Sequence, residues 1–150
     1  MNNYREIMFR GKRLNIGPCA VSTSKEWICG AYVPEAINTY IHSFSKMVQV
    51  DPSTVGQFTG LADKNGKRIF EGDIVRFQFD NDDCPWPNKR TEKHIGRVFW
   101  QNFRANFSIA MGRAGSSSIN DDLWKYVQNG NRVEVIGNIY DNPELLEIPL

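Results

Sequence analysis

Several short runs in this chain alternate apolar and polar residues at a period of two. That spacing marks a half-buried strand, because successive side chains leave a strand on opposite faces. In EIMFR, Ile7 and Phe9 share one face, with Glu6, Met8 and Arg10 on the other. WICGAYV aligns Trp27, Cys29, Ala31 and Val33. DIVRFQF sets Val75, Phe77 and Phe79 against Ile74, Arg76 and Gln78. HIGRVFW continues the pattern, and RVEVIGNIY places Val133, Val135 and Ile139 on one side. The residues that recur are β-branched or aromatic, the types that suit a pleated surface. The pattern predicts a mainly β, antiparallel protein.

Three stretches carry a different period or a turn signal. In PEAINTYIHSFSKMV, Ile37, Tyr40, Ile41, Phe44, Met47 and Val48 fall at helical spacing after Pro34, which suits a first turn. Thr39, Tyr40, Ile41 and Phe44 favour strands, and serine and threonine compete with a helical backbone. Periodicity alone predicts a helix over residues 38–48. SINDDLWKYVQNG predicts a short helix, capped by Ser118 or Asn120 and closed by Gly130. DNPELL allows one closing helical turn after Pro143. DNDDCPWPNKR and MGRAGSSS are loops by composition. No repeat or linker divides the chain, so residues 1–150 read as a single domain.

TVGQFTGLADKNGKRIFEGDIV, residues 54–75, holds four glycines in twenty-two residues. A phosphate-binding loop needs four residues between its first glycine and a Gly-Lys pair, then Ser or Thr, then a helix. Gly60 and Gly66 are separated by five residues, Lys67 is followed by Arg68, and a strand pattern comes next. The glycines therefore turn the chain. Asn65-Gly66 predicts a type I′ hairpin turn, with Asp63 accepting backbone N–H bonds inside it. Gly72-Asp73 marks a second reversal before the strand that begins at Ile74. Small SH3-like barrels open strands in this manner.

FRGKR (residues 9–13), VDPSTVGQFTGLADKNGKRIFEGDIVRF (residues 50–77) and VEVIGNIYDNPELL (residues 133–146) together resemble the YopX family of phage and prophage proteins. Residues 17–44 and 81–93 follow no pattern of that family. The resemblance implies an SH3-like antiparallel barrel with additional N-terminal strands and one or two short helices. It also implies a phage or prophage origin, with no assigned activity and no catalytic residues to carry over. It moves the expectation for residues 38–44 towards a hairpin.

Composition narrows the setting. A 41% hydrophobic and 12% aromatic content is that of a globular chain. Eighteen basic against seventeen acidic residues leave +1, too balanced for a surface built wholly for nucleic acid or anionic lipid. Cys19, Cys29 and Cys84 are odd in number and form no CxxC pair, which fits reduced thiols. MNNYREIMFRGKRL lacks the apolar core of a signal peptide, and no apolar run is long enough for a membrane helix. The expectation is a cytoplasmic protein of a bacterial host cell, with no membrane partner.

Candidate chemistry is sparse. Asp80, Asp82 and Asp83 crowd one loop, but an EF-hand starting at Asp80 would have Pro85 and Thr91 where glycine and glutamate are needed. Cys19, Cys29, Cys84 and His94 lack zinc-site spacing. His42 and His94 have no carboxylate near in sequence, and Ser116, Ser117 and Ser118 form no nucleophile elbow. No metal, cofactor or enzymatic activity is expected. Basic residues cluster at Arg10, Lys12 and Arg13, at Lys64, Lys67 and Arg68, and after the Pro-Trp-Pro loop. Trp86 with Lys89, Arg90, Lys93 and Arg97 is the candidate nucleic-acid contact, an aromatic for a base and cations for phosphates. The leading expectation is a non-enzymatic binding or assembly module that forms a homo-oligomer or takes a protein partner. The alternative is a nucleic-acid-binding protein of phage replication or transcription.

Overall fold

A computed structural model describes residues 5–78, 93–111, 120–128 and 130–146. The chain divides into two compact units, Met1–Gly60 and Leu61–Leu150.

In the first unit, β1 (Phe9–Ile16) and β2 (Val21–Pro34) form a long antiparallel hairpin that ends in the pair Ile16 and Val21. Its register shifts between Lys12 and Leu14, where β2 carries extra residues. Then β3 (Thr39–Ser43) pairs with β2 and turns back into β4 (Lys46–Gln49). Residues 38–48 are therefore a hairpin, as the family resemblance suggests and the periodicity does not. Ile41 and Val48 face each other across the hairpin, and the two-residue turn between Ser43 and Lys46 puts Phe44 at a φ of 54°. The apparent helical spacing arises because that short turn interrupts two alternating strands. Gly30 makes the docking of β3 possible, since a Cβ there would strike the His42 carbonyl oxygen. Ile41 is fully buried beneath it. On β1, the Arg10 guanidinium lies 4.6 Å and the Lys12 ammonium 5.4 Å from the centre of the Trp27 ring. Both cations are buried there with their charge against an aromatic face.

A 3₁₀ turn, Pro52–Thr54, follows β4. Asp51 caps it, accepting the Ser53 N–H at 3.0 Å and the Ser53 and Thr23 hydroxyls at 2.7 Å each. The Thr23 hydroxyl and then that of Ser53 hold the Asp51 carboxyl below its ordinary value, because each stabilises the ionised form. β5 (Gly56–Ala62) pairs with β1 and gives the strand order β4-β3-β2-β1-β5.

The second unit opens with the far end of β5, which pairs with β6 (Arg68–Phe70). The turn between them departs from type I′. Gly66 has a φ of 81°, whereas Asn65 is not in the positive region. The Gly66 N–H donates to the Asp63 carbonyl at 3.0 Å, and the Asp63 N–H to the Lys67 carbonyl at 2.8 Å. This is a three-residue loop ending in a left-handed glycine. The Asp63 carboxylate selects it, since Oδ1 accepts both the Asn65 and the Lys67 N–H at 2.9 Å. Gly66→Val forces a β-branched residue to positive φ, so the thermal midpoint should fall, as calorimetry would show. An unchanged midpoint would remove this turn assignment.

β7 (Asp73–Gln78), β8 (Lys93–Gln101), β9 (Asn106–Met111), β10 (Asn120–Asp122) and β11 (Val133–Asn138) form an antiparallel sheet of order β10-β9-β8-β7-β11. Val75 and Phe77 face the core as the alternation predicts, together with Ile69, Val98, Phe107, Ile109 and Val133. Val135 packs partly against that core, but a register shift between Val135 and Gly137 ends the alternation before Ile139. The strand orders end at β4 and β6 in one sheet and at β10 and β11 in the other, so the expected barrel does not close among the described strands, although Val50, just after β4, bridges back to Arg13 of β1. Phe79 lies outside the described residues.

The short helix α1 spans Leu123–Gln128 and buries Leu123 and Tyr126. It begins later than the capping pattern predicts, because Asn120–Asp122 finds a strand partner in β9. Asp122 takes over the capping role by accepting the Trp124 N–H at 3.0 Å. Burial opposes ionisation of Asp121. Even so, the Tyr126 hydroxyl, the Asp122 N–H and the Lys125 ammonium together hold its carboxyl below the ordinary value. A 3₁₀ turn at Pro143–Leu146 realises the expected closing turn. No helix among the described residues is long and apolar enough to cross a membrane.

Candidate functional site

The end of the second sheet gathers cations from four separate segments. Glu134 and Arg76 pair across β11 and β7, one place along from the core pair Val133 and Phe77. Alternation therefore turns Glu134 and Arg76 to the face opposite the core. Gln78, the last residue of β7, pairs with Lys93, the first of β8. Arg132 immediately precedes β11, and Lys64 is brought alongside by its N–H, which donates to the Val133 carbonyl at 2.9 Å. Together Lys64, Arg76, Lys93 and Arg132 line a cavity of about 230 Å³, with Gln78 and Glu134 in its wall.

Partly buried polar ties hold this geometry. Asp63 Oδ2 accepts the Val135 N–H at 2.9 Å, anchoring the hairpin of Lys64 to β11. Asn131 donates from Nδ2 to the Ala62 carbonyl at 2.9 Å. The Arg132 guanidinium donates to the Gln78 carbonyl at 3.3 Å and the Lys125 carbonyl at 3.4 Å. It also lies 5.4 Å from the centre of the Tyr126 ring. Glu134 meets Lys64 Nζ at 3.3 Å and Arg76 Nη1 at 4.0 Å. These two ion pairs are partly exposed, a setting in which each contributes about 0–1 kcal/mol.

The first unit presents a different surface. Ile16 and Val21, at the tip of the β1–β2 hairpin, are each 63% exposed. Phe44, at the β3–β4 turn, is 99% exposed and Ile37 92%. Met47, 47% exposed, lies on β4, the strand at the end of this sheet's order. A groove beside Phe44 is walled by Arg13, Glu26, Ile28, Lys46 and Val48.

A family model described as YopX protein matches residues 3–147, across both units. The chain belongs to the YopX family. No curated protein matches it. Of the residues the sequence nominated for nucleic acid, Trp86, Lys89 and Arg90 lie outside the described part of this YopX chain. Lys93 lines the cationic cavity. Arg97 does not line it. It pairs with Ile74 and Ala110 in mid-sheet and stacks over Phe99 at 5.2 Å. Arg76, Arg132 and Glu134 are site residues that the sequence reading did not assign, and Lys64 appeared only as part of another cluster. The signal for Arg76 was its alternation against Phe77, but its neighbours become visible only once β7, β8 and β11 are paired. His94 sits in the core, its ring 5.9 Å from that of Phe77. Among the described residues, no three or more of His, Cys, Asp and Glu come together as a metal site would need.

Proposed function

We propose that this YopX chain is a non-enzymatic binding module that assembles with further copies of itself through its N-terminal unit. The observation that carries this reading is the exposure of Ile16, Val21 and Phe44 at two hairpin tips of one sheet. Large apolar side chains left exposed at strand turns are costly in water and mark surfaces that another chain covers. Before the Val50–Arg13 bridge, β4 stands at the end of the strand order, a position from which a strand can pair with another chain. A phage or prophage setting is supported by the segments that carry the family resemblance.

Light scattering coupled to gel filtration tests the reading. The purified chain is expected to run as a dimer or larger, and Ile16→Ser, Val21→Ser and Phe44→Ser combined should shift it towards monomer. These positions are exposed, so the variant should keep its thermal midpoint. A chain that is monomeric at high concentration before any substitution would sink the proposal.

A further inference from the structure

We propose that Lys64, Arg76, Lys93 and Arg132 bind a phosphate group carried by a nucleotide, free or within a nucleic-acid strand. This site is independent of the self-association reading, since all its residues lie in the second unit.

Charge is the first argument. The whole chain carries +1, yet among the described residues this cavity sets four cations against a single carboxylate. Gathering like charges opposes folding unless an anion relieves it. Preorganisation is the second. Carbonyls of Gln78 and Lys125 and the ring of Tyr126 hold the Arg132 guanidinium in place. A planar guanidinium offers a fork of donors that matches phosphate oxygens, so fixing it beforehand lowers the ordering cost on binding.

Exchange is the third argument. Lys64 and Arg76 share Glu134 through partly exposed contacts, and a phosphate with more negative charge can displace that carboxylate from both. Size is the fourth. A volume of about 230 Å³ falls below the roughly 300–1,000 Å³ of pockets that enclose drug-sized ligands. It suits a phosphate and the adjoining part of one nucleotide. Phe77, Gln78 and Asn131 complete the same wall.

The test measures fluorescence anisotropy of a labelled single-stranded oligonucleotide titrated with the full chain at several salt concentrations. A mononucleotide and inorganic phosphate serve as competitors and, by calorimetry, as direct ligands. Arg76→Ala with Lys93→Ala should weaken binding at least tenfold at low salt, with the thermal midpoint retained. If a strand is the ligand, losing two phosphate contacts should make the slope of log K against log salt shallower by about 1.4. Glu134→Gln should tighten binding, because the internal competitor loses its charge.

Oligonucleotide binding that responds in this way supports the site with a strand as the source. Binding of the mononucleotide alone, lost in the same double variant, supports it with a free nucleotide. Failure of all three probes at low salt would overturn the proposal, as would full binding by the double variant. Neither result depends on the oligomeric state, so the two proposals fail separately.

Discussion

Phe77→Ala is expected to lower the unfolding free energy by roughly 3–5 kcal/mol, the range for truncating a buried phenylalanine. Phe77 is 3% exposed and lies on β7, with β8 on one side and β11 on the other. Its ring meets that of Tyr126 edge-on at 5.1 Å and is 5.9 Å from His94. Val133 and His94 are its partners across the two neighbouring strands. Hydrogen bonding on both edges keeps β7 from collapsing into the space a deleted ring leaves, so the cavity term should be felt almost in full. Small domains have about 5–15 kcal/mol in total, so this loss is a large share. Guanidinium unfolding of the variant, with Phe77→Leu as the intermediate case, gives the measurement. A midpoint near that of the unsubstituted chain would mean that the faces of β7 are reversed.

That face assignment was readable from the sequence, and the reason is local. From Val75 to Gln78 apolar and polar residues alternate, and a strand's alternation needs no partner to be seen, although Ile74 on the other face is also buried. The Asp63–Lys67 turn was half readable. Glycine and aspartate announced a reversal, but the carboxylate's two loop N–H bonds favour a three-residue turn over the two-residue one that Asn-Gly suggests. Residues 38–48 were misleading because two strands joined by a short turn mimic helical spacing, and only pairing with β2 decides between them. The start of α1 shifted for a similar reason. A capping pattern competes with a strand pairing that it cannot anticipate. The barrel did not follow from the short strands, since closure depends on which edges meet.

The cationic cavity was the least legible feature. Arg76 and Lys93 lie seventeen residues apart in the chain, and Arg132 is further still. Only the antiparallel order β8-β7-β11, with Lys93 opposite Gln78 and Arg76 opposite Glu134, brings them to one end of the sheet. Lys93 was nominated as the neighbour of Trp86 in sequence. Its described neighbours around the cavity instead come from other segments. Net charge gave no hint, because a balance of +1 over the chain averages away a local excess.

Asp63→Ala should cost about 2–4 kcal/mol and should also release the hairpin of Lys64 from the cavity wall. Asp63 is 4% exposed, and its carboxylate accepts three backbone N–H groups, those of Asn65, Lys67 and Val135. Bonds to an ionised acceptor contribute about 1.5–3 kcal/mol each, and an orphaned buried donor costs about 1–3 kcal/mol. Asn65 and Lys67 are exposed and can turn to water once the carboxylate is gone. Val135, in the sheet and packed partly against the core, has less access to it. Asp63→Asn separates the two effects. An amide has one acceptor oxygen, so it can keep the loop pair or the Val135 bond, while its NH₂ faces a donor at the other. Hydrogen exchange should show the Val135 amide losing protection in both variants, and the Lys67 amide losing it fully only in alanine. Since this carboxylate fixes the hairpin that carries Lys64 against β11, phosphate-ligand affinity should fall in both variants at a temperature where each remains folded. Unaltered exchange at Val135 would mean that the hairpin is held to β11 by its other ties, the Lys64–Val133 backbone bond, the Lys64–Glu134 pair and the Asn131–Ala62 bond.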